Sequence, residues 1–146
     1  MSTGTLAPVD ATPAIASMTT DDLRAVGTAA LRALSTDQLA ALTSDQLAAL
    51  TTSQLAALGT DDIVALHTDG ITALTTTQLQ ALSTLQYHAL STAQIVALST
   101  DDLVAMSTAQ AMALSVEQIA AFTTAQIVGL ETRDLDVMSM AQVVAF

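Results

Sequence analysis

Few residues in this chain could do chemistry. His67 and His88 are its two histidines, Tyr87 is its one tyrosine, and it has no cysteine. Disulfides and thiolate metal sites are therefore excluded. An imidazole metal site needs a second ligand at a workable spacing, and neither histidine has a paired His or a His-x-x-Glu. Both read as scattered surface substitutions, His67 at a helix cap and His88 on an exposed face. Tyr87 replaces a core leucine, with its hydroxyl expected at an edge. Adjacent acids occur at Asp21–Asp22, Asp61–Asp62 and Asp101–Asp102. Paired carboxylates can share a proton or hold calcium. Adjacent acids at a helix start diverge, however, and the Gly-punctuated spacing of a calcium loop is missing. No nucleophile elbow, phosphate loop or dinucleotide fingerprint occurs. The chain thus offers no catalytic, cofactor-binding or metal-binding residue, and it is not expected to be an enzyme.

The pattern that would position such residues is an octad. Ser35 to Leu58 reads STDQLAAL, TSDQLAAL, TTSQLAAL, and the same frame runs from Thr19 to Phe146 as sixteen octads without an insertion. An unbroken repeat implies one small unit stacked on copies of itself. Position 1 is Ser or Thr in twelve octads, with Gly27, Gly59, His67 and Glu131 as exceptions. Position 4 is Gln in ten and Asp in four. Ser/Thr followed three residues later by Gln is a capping box: the hydroxyl accepts from a first-turn N–H, and the Gln reaches back to the cap. Ten boxes in one register predict a new helix every eight residues.

The apolar positions agree. Positions 5 and 8 are Leu or another large apolar residue in nearly every octad. A spacing of three places them on one helix face. Position 7 is Ala in fourteen octads, which predicts close approach of a neighbour, and position 6 varies from Arg24 to Asp136, so it faces solvent. One continuous helix is excluded, because eight residues advance about 80° past two full turns and the leucine stripe would wind away from any partner. A β-solenoid is excluded because positions 5 and 8 would point to opposite sides of a strand. The predicted fold is an all-α solenoid of very short capped helices, one per octad. With no spare residue at the joints, corners are favoured over hairpins, giving three or four helices per superhelical turn. One octad cannot fold alone: two buried leucines give ~3–6 kcal/mol, whereas fixing eight residues costs at least ~8 kcal/mol.

Domain organisation follows the repeat. Residues 1–18 form an N-terminal tail and a degenerate capping octad, ATPAIASM from Ala11 to Met18, with Pro13 in its first turn. Met1 to Asp10 is expected to be loose. Residues 19–146 form the solenoid. The C-terminal octad, SMAQVVAF, ends on apolar residues and has no evident cap, so self-association is expected through Val143, Val144 and Phe146. Either a dimer of two C-terminal ends or a head-to-tail filament would satisfy it.

Charge narrows the partners. Fourteen acids face only three basic residues, for a net charge of −11. Nucleic acid and anionic membranes need basic patches, so neither is an expected partner. Seven acids occupy position 3 and four occupy position 4, in the first turn of a helix, where negative charge complements the helix dipole. No apolar run approaches the ~18 residues of a membrane span, and the N-terminus has no Sec-type signal pattern.

Two resemblances add expectations. STAQIVAL (Ser91 to Leu98) preceded by Leu90 resembles the first helix of the repeats in TAL-effector DNA-binding proteins, an L-T-P-x-Q-V-V-A-I pattern. That family's second helix, base-reading loop and basic character have no counterpart here, so DNA binding is not carried over. The whole array is similar to octapeptide tracts in very large secreted or surface-attached bacterial proteins of the adhesin type. This implies a structural or adhesive segment exported without a Sec signal. The expected function is a non-enzymatic spacer, scaffold or self-assembling segment. The alternatives are an acidic module that mimics DNA and occupies a basic protein, and an ice-binding ladder built on the threonines at position 2 of thirteen octads. Acids aligned on one face would favour the mimic; acids spread over every helix start would favour the scaffold.

Overall fold

The computed structural model describes residues 15–130 and 132–146. The expected tail, Pro13 and the cap exception Glu131 lie outside the described residues. Among the described residues the fold is all-α, with sixteen helices of five to seven residues. In chain order they are α1 (Thr20–Ala25), α2 (Thr28–Arg32), α3 (Thr36–Ala40), α4 (Ser44–Ala49), α5 (Thr52–Ala57), α6 (Thr60–Ala65), α7 (His67–Ala73) and α8 (Thr76–Gln80). They continue with α9 (Thr84–Ala89), α10 (Thr92–Ala97), α11 (Thr100–Val104), α12 (Thr108–Ala113), α13 (Val116–Ala120), α14 (Thr124–Gly129), α15 (Thr132–Val137) and α16 (Met140–Val144). Each octad of the solenoid holds one helix, so the helix number is the octad number.

Capping sets these boundaries. All ten Ser/Thr-x-x-Gln boxes form, with both bonds present in each. At Thr43, for example, the hydroxyl accepts from Gln46 N–H at 3.2 Å, while Thr43 N–H donates to Gln46 Oε1 at 2.9 Å. Between helices the chain is extended for about two residues, as at Leu50 (ψ 142°) and Thr51 (ψ 157°). Two extended residues turn a corner without reversing the chain.

The corners close a triangle. Each helix packs on the helix three places further on, so there are three helices per superhelical turn. One column holds α1, α4, α7, α10, α13 and α16, the second α2, α5, α8, α11 and α14, and the third α3, α6, α9, α12 and α15. The large side chains of positions 5 and 8 fill the interior as one continuous core. Ala48 at position 6 is exposed, whereas Ala49 at position 7 is buried. Gly129 shows what position 7 rests on: a Cβ added there would lie 3.2 Å from Thr100 Cβ and Cγ2. Position 7 of one turn therefore sits on the position 2 threonine of the turn before it, which is why a small residue recurs there.

Candidate functional site

The glutamines that cap the helices also tie the turns together. While Oε1 accepts from the cap N–H, Nε2 donates to the carbonyls at the C-terminal end of the helix four octads earlier. Gln118 Nε2 lies 2.9 Å from Tyr87 O, 3.2 Å from His88 O and 2.7 Å from Leu90 O. Helix C-termini leave carbonyls without intrahelical donors, and these are the groups the amide meets. The same rung forms from Gln46, Gln54, Gln78, Gln86, Gln94, Gln110, Gln126 and Gln142. Each of these amides is buried. Each serves two helix ends at once, an N-terminus through oxygen and a C-terminus through nitrogen.

The ladder is interrupted at Asp62, Gly70, Asp102 and Asp134. An aspartate can still accept from its own cap, as Asp62 does from Gly59 N–H at 2.8 Å. A carboxylate cannot donate across the turn. At Asp102 the polarity is inverted: the Thr76 hydroxyl, in the preceding turn, donates to Oδ1 at 3.0 Å. Asp134 is wholly buried. A second set of ties comes from position 6. Arg24 Nε donates to Ala49 O, and Gln80 Nε2 to Ala105 O, both at 2.9 Å. His88 Nδ1 lies 2.8 Å from Ala113 O. That nitrogen carries the proton, since a carbonyl only accepts.

The residues singled out for chemistry do not converge on one site: His67 and His88 lie on different columns, and Tyr87, next to His88 in the chain, is buried where His88 is exposed. His88 is exposed on α9, as expected, and is engaged by the strap just described. His67 is no cap. It lies in left-handed backbone at φ 57°, and α7 begins at His67 itself, with Leu66 helical before it. Imidazole offers no cap equivalent to a hydroxyl, and the chain turns this corner by one left-handed residue. The shift brings Leu66 onto α7: a Cβ on Gly70 would stand 2.9 Å from Leu66 Cβ. Gln94 reaches His67 O in place of the Leu66 carbonyl, which now accepts from Gly70 N–H. Tyr87 is buried in the core, not set at an edge. Burial, and then the nearby charge of Asp102, push its ionisation well above the usual range for a phenol.

The acids spread over all three columns. Position 3 carries Asp21, Asp45, Asp69 and Glu117 on the first column, Asp101 on the second, and Asp37 and Asp61 on the third. The Glu117 carboxyl is held below its ordinary value by its own backbone N–H, then by the Ser115 hydroxyl, with the charge of His88 a lesser cause. These are helix-start roles. The threonines at position 2 align on two columns, for instance Thr28, Thr52, Thr76, Thr100 and Thr124 on the second. Thr76 is bonded to Asp102 and Thr100 lies under Gly129, so this row takes part in stacking the turns. Among the described residues no group of three metal-ligating side chains comes together, and no helix is long and apolar enough to cross a membrane.

The last turn differs from the rest. At position 5, the side chains of octads 1 to 13 are at most 2% exposed. In the final three octads Ile127, Leu135 and Val143 are 38%, 40% and 44% exposed. Val144 is 76% exposed, as a position 6 residue would be. Phe146 is 42% exposed and tilts against Phe122 of the preceding turn, ring centroids 6.4 Å apart. Of the three residues expected to form an apolar end, Val143 faces the open end, Val144 the side, and Phe146 is partly engaged within the chain. Sequence reasoning missed Ile127 and Leu135, because only the number of octads per turn shows that they share the open face.

Stacking of single-helix octads through capping glutamines defines a tandem-repeat α-solenoid. The chain belongs to the ALTTAQ repeat family, which matches residues 15–52, 47–76, 76–101 and 95–132. No curated protein and no solved structure matches the chain.

Proposed function

We propose that the chain is a non-catalytic structural segment, a rod that spaces or scaffolds whatever it is joined to. The observation that carries this reading is the glutamine ladder. The residues that recur at positions 1, 4, 5, 7 and 8 are consumed in capping, rungs and core. A repeat that spends five of its eight positions on capping and on its neighbours is built to be lengthened, one turn per three octads. The octapeptide likeness to large surface-attached proteins fits such a spacer, and extracellular placement is part of the proposal. The acids sit at helix starts on all three columns, which favours the rod over a DNA mimic, and Thr76 and Thr100 take part in stacking the turns, which favours it over an ice-binding surface.

Sixteen octads at three per turn make just over five turns, and at ~8–10 Å per layer of packed helices the rod is about 50 Å long. Removing Thr75 to Leu98 deletes one whole turn. Small-angle scattering is expected to show a folded particle shortened by about one layer, ~8–10 Å, with the same cross-section. A particle of unchanged length, or one with a changed cross-section, would refute the rod.

A further inference from the structure

The ties between turns are unevenly spread along the rod. Asp62 and Gly70 supply no amide, so two rungs cross the boundary that follows Leu58. One runs from Gln78 to Leu47, Ala48 and Leu50, the other from Gln86 to Leu55 and Leu58. Position 6 adds no strap there, because Ala40, Ala48 and Ala56 have no side-chain donor. The boundary after Leu50 is likewise crossed by two rungs, from Gln54 and Gln78. The boundary after Leu90 is tied far more densely. Three rungs cross it, from Gln94, Gln110 and Gln118. The straps of Gln80 and His88 and the bond from Thr76 to Asp102 cross it as well. The core does not offset the difference, since Leu47, Leu50, Leu55 and Leu58 are buried as fully as Tyr87, Leu90, Ile95 and Leu98.

Charge acts in the same direction. Asp45 and Asp69 follow one another on the first column, and Asp37 and Asp61 on the third, so two pairs of exposed carboxylates are stacked across octad 5. No Lys or Arg occurs between Arg32 and Arg133 to offset them. Across the boundary after Leu90, position 3 stacks Asp69 with Ala93, Thr77 with Asp101 and Leu85 with Ala109, and no acid follows an acid. Like charges one layer apart, ~8–10 Å, repel each other in dilute salt, where the Debye length exceeds that spacing. We propose that octad 5, Thr51 to Leu58, is a built-in seam: the rod opens there before it opens elsewhere, and residues 19–50 uncouple from the rest as one unit. The seam follows from ties and charges within the fold and does not depend on what the rod spaces.

Native-state amide exchange of the full chain reads such openings. The protected amides of residues 19–50 are expected to share one opening, at least ~10-fold more frequent than that of residues 83–114, with the step at octad 5. Equal protection of the two stretches overturns the proposal. So does protection that declines smoothly from residue 114 to residue 19, which is fraying without a seam. Asp62→Gln keeps the bond to Gly59 N–H and, in the register of the other rungs, adds an amide at the carbonyls of Leu31, Arg32 and Leu34. It should slow the opening of residues 19–50 at least ~10-fold. Asp102→Gln adds an amide where ties are already dense and should leave those residues unchanged. Equal slowing by the two variants, or none by Asp62→Gln, overturns the seam. Raising sodium chloride from ~20 to ~200 mM screens the stacked acids and should slow opening of residues 19–50 more than of residues 83–114; the reverse order counts against the proposal. The length of the rod in scattering is independent of these outcomes, so failure here leaves the spacer reading to its own test.

Discussion

At the scale of single residues, glutamine is chosen for having an acceptor and a donor on one side chain. Gln118→Glu isolates the second role, because the carboxylate still caps Ser115 but faces the carbonyls of Tyr87, His88 and Leu90 without a donor. The expected loss is ~2–5 kcal/mol, that of a buried charge set against unpaired acceptors. Asp102→Gln should do the reverse. It supplies an amide to the carbonyl end of α7, and a gain of about 1 kcal/mol is expected. Denaturant unfolding of the two variants reads both, and the opposite signs are the test. Tyr87 provides a pH experiment, since the chain has no other tyrosine and no lysine. Its folded ionisation is raised, so the folded state keeps a proton that the unfolded chain releases above pH ~10. Stability is fully present below that pH and is lost as pH rises beyond it. The phenolate absorbance should appear only as the chain unfolds, and Tyr87→Phe should flatten the alkaline decline in melting temperature. A phenolate signal that develops ahead of unfolding would contradict the buried placement.

At the scale of the helix, the α6–α7 joint is the exception that shows how the others work. His67 holds a left-handed conformation, which costs an L-residue ~1–2 kcal/mol. His67→Gly removes that strain but loosens the unfolded chain by ~0.4–1 kcal/mol, so a net gain of about 0.5 kcal/mol is expected. Gly70→Ala should cost ~1–3 kcal/mol, because its Cβ would meet Leu66 at 2.9 Å. Combining Gly70→Gln with His67→Thr recreates the common box, and an extended cap would carry Leu66 away. The double variant should therefore be more stable than Gly70→Gln alone by more than His67→Thr accounts for, a coupling that a double-mutant cycle measures. The helices themselves were legible in the sequence, because a capping box is local: every Ser/Thr-x-x-Gln forms as spelled. The rungs were not legible. Their partners lie 28 to 31 residues upstream, and that distance depends on how many octads close a turn, which spacing within an octad does not encode. For the same reason closeness in sequence groups Val143 with Val144 and Phe146, whereas in the fold Val143 is exposed together with Ile127 and Leu135. The left-handed backbone of His67 was not legible either, because it has no signature in the octad pattern.

At the scale of the molecule, the ladder predicts how the rod tolerates losing a piece. Deleting Thr43 to Leu50 removes one octad and moves every later helix one column around. The rungs that lie wholly after the deletion keep their partners, since Gln86 still stands four octads beyond Leu55. Those that spanned it are re-formed in part: Gln54 inherits the carbonyls of Ile15, Ala16 and Met18 that Gln46 held, and Gln78 reaches the end of α3 in place of Leu47 and Leu50. Three glutamine rungs are replaced by two. The deletion should give a folded protein with a modestly lower melting temperature and the same helical circular dichroism per residue. Deleting only Thr43 to Gln46 removes half as much chain but leaves a stub, LAAL, with no cap and no glutamine. Four residues cannot form one side of the triangle, so the columns on either side of the stub lose alignment and no choice of partner restores it. Stability in a stacked repeat is a sum over neighbours, and this break severs the sum in the middle. The shorter deletion is therefore expected to melt at the lower temperature, in two separated steps or with visible loss of helix. Thermal unfolding of the pair side by side decides it: identical melting curves would mean that the octad is not the unit in which this protein is built.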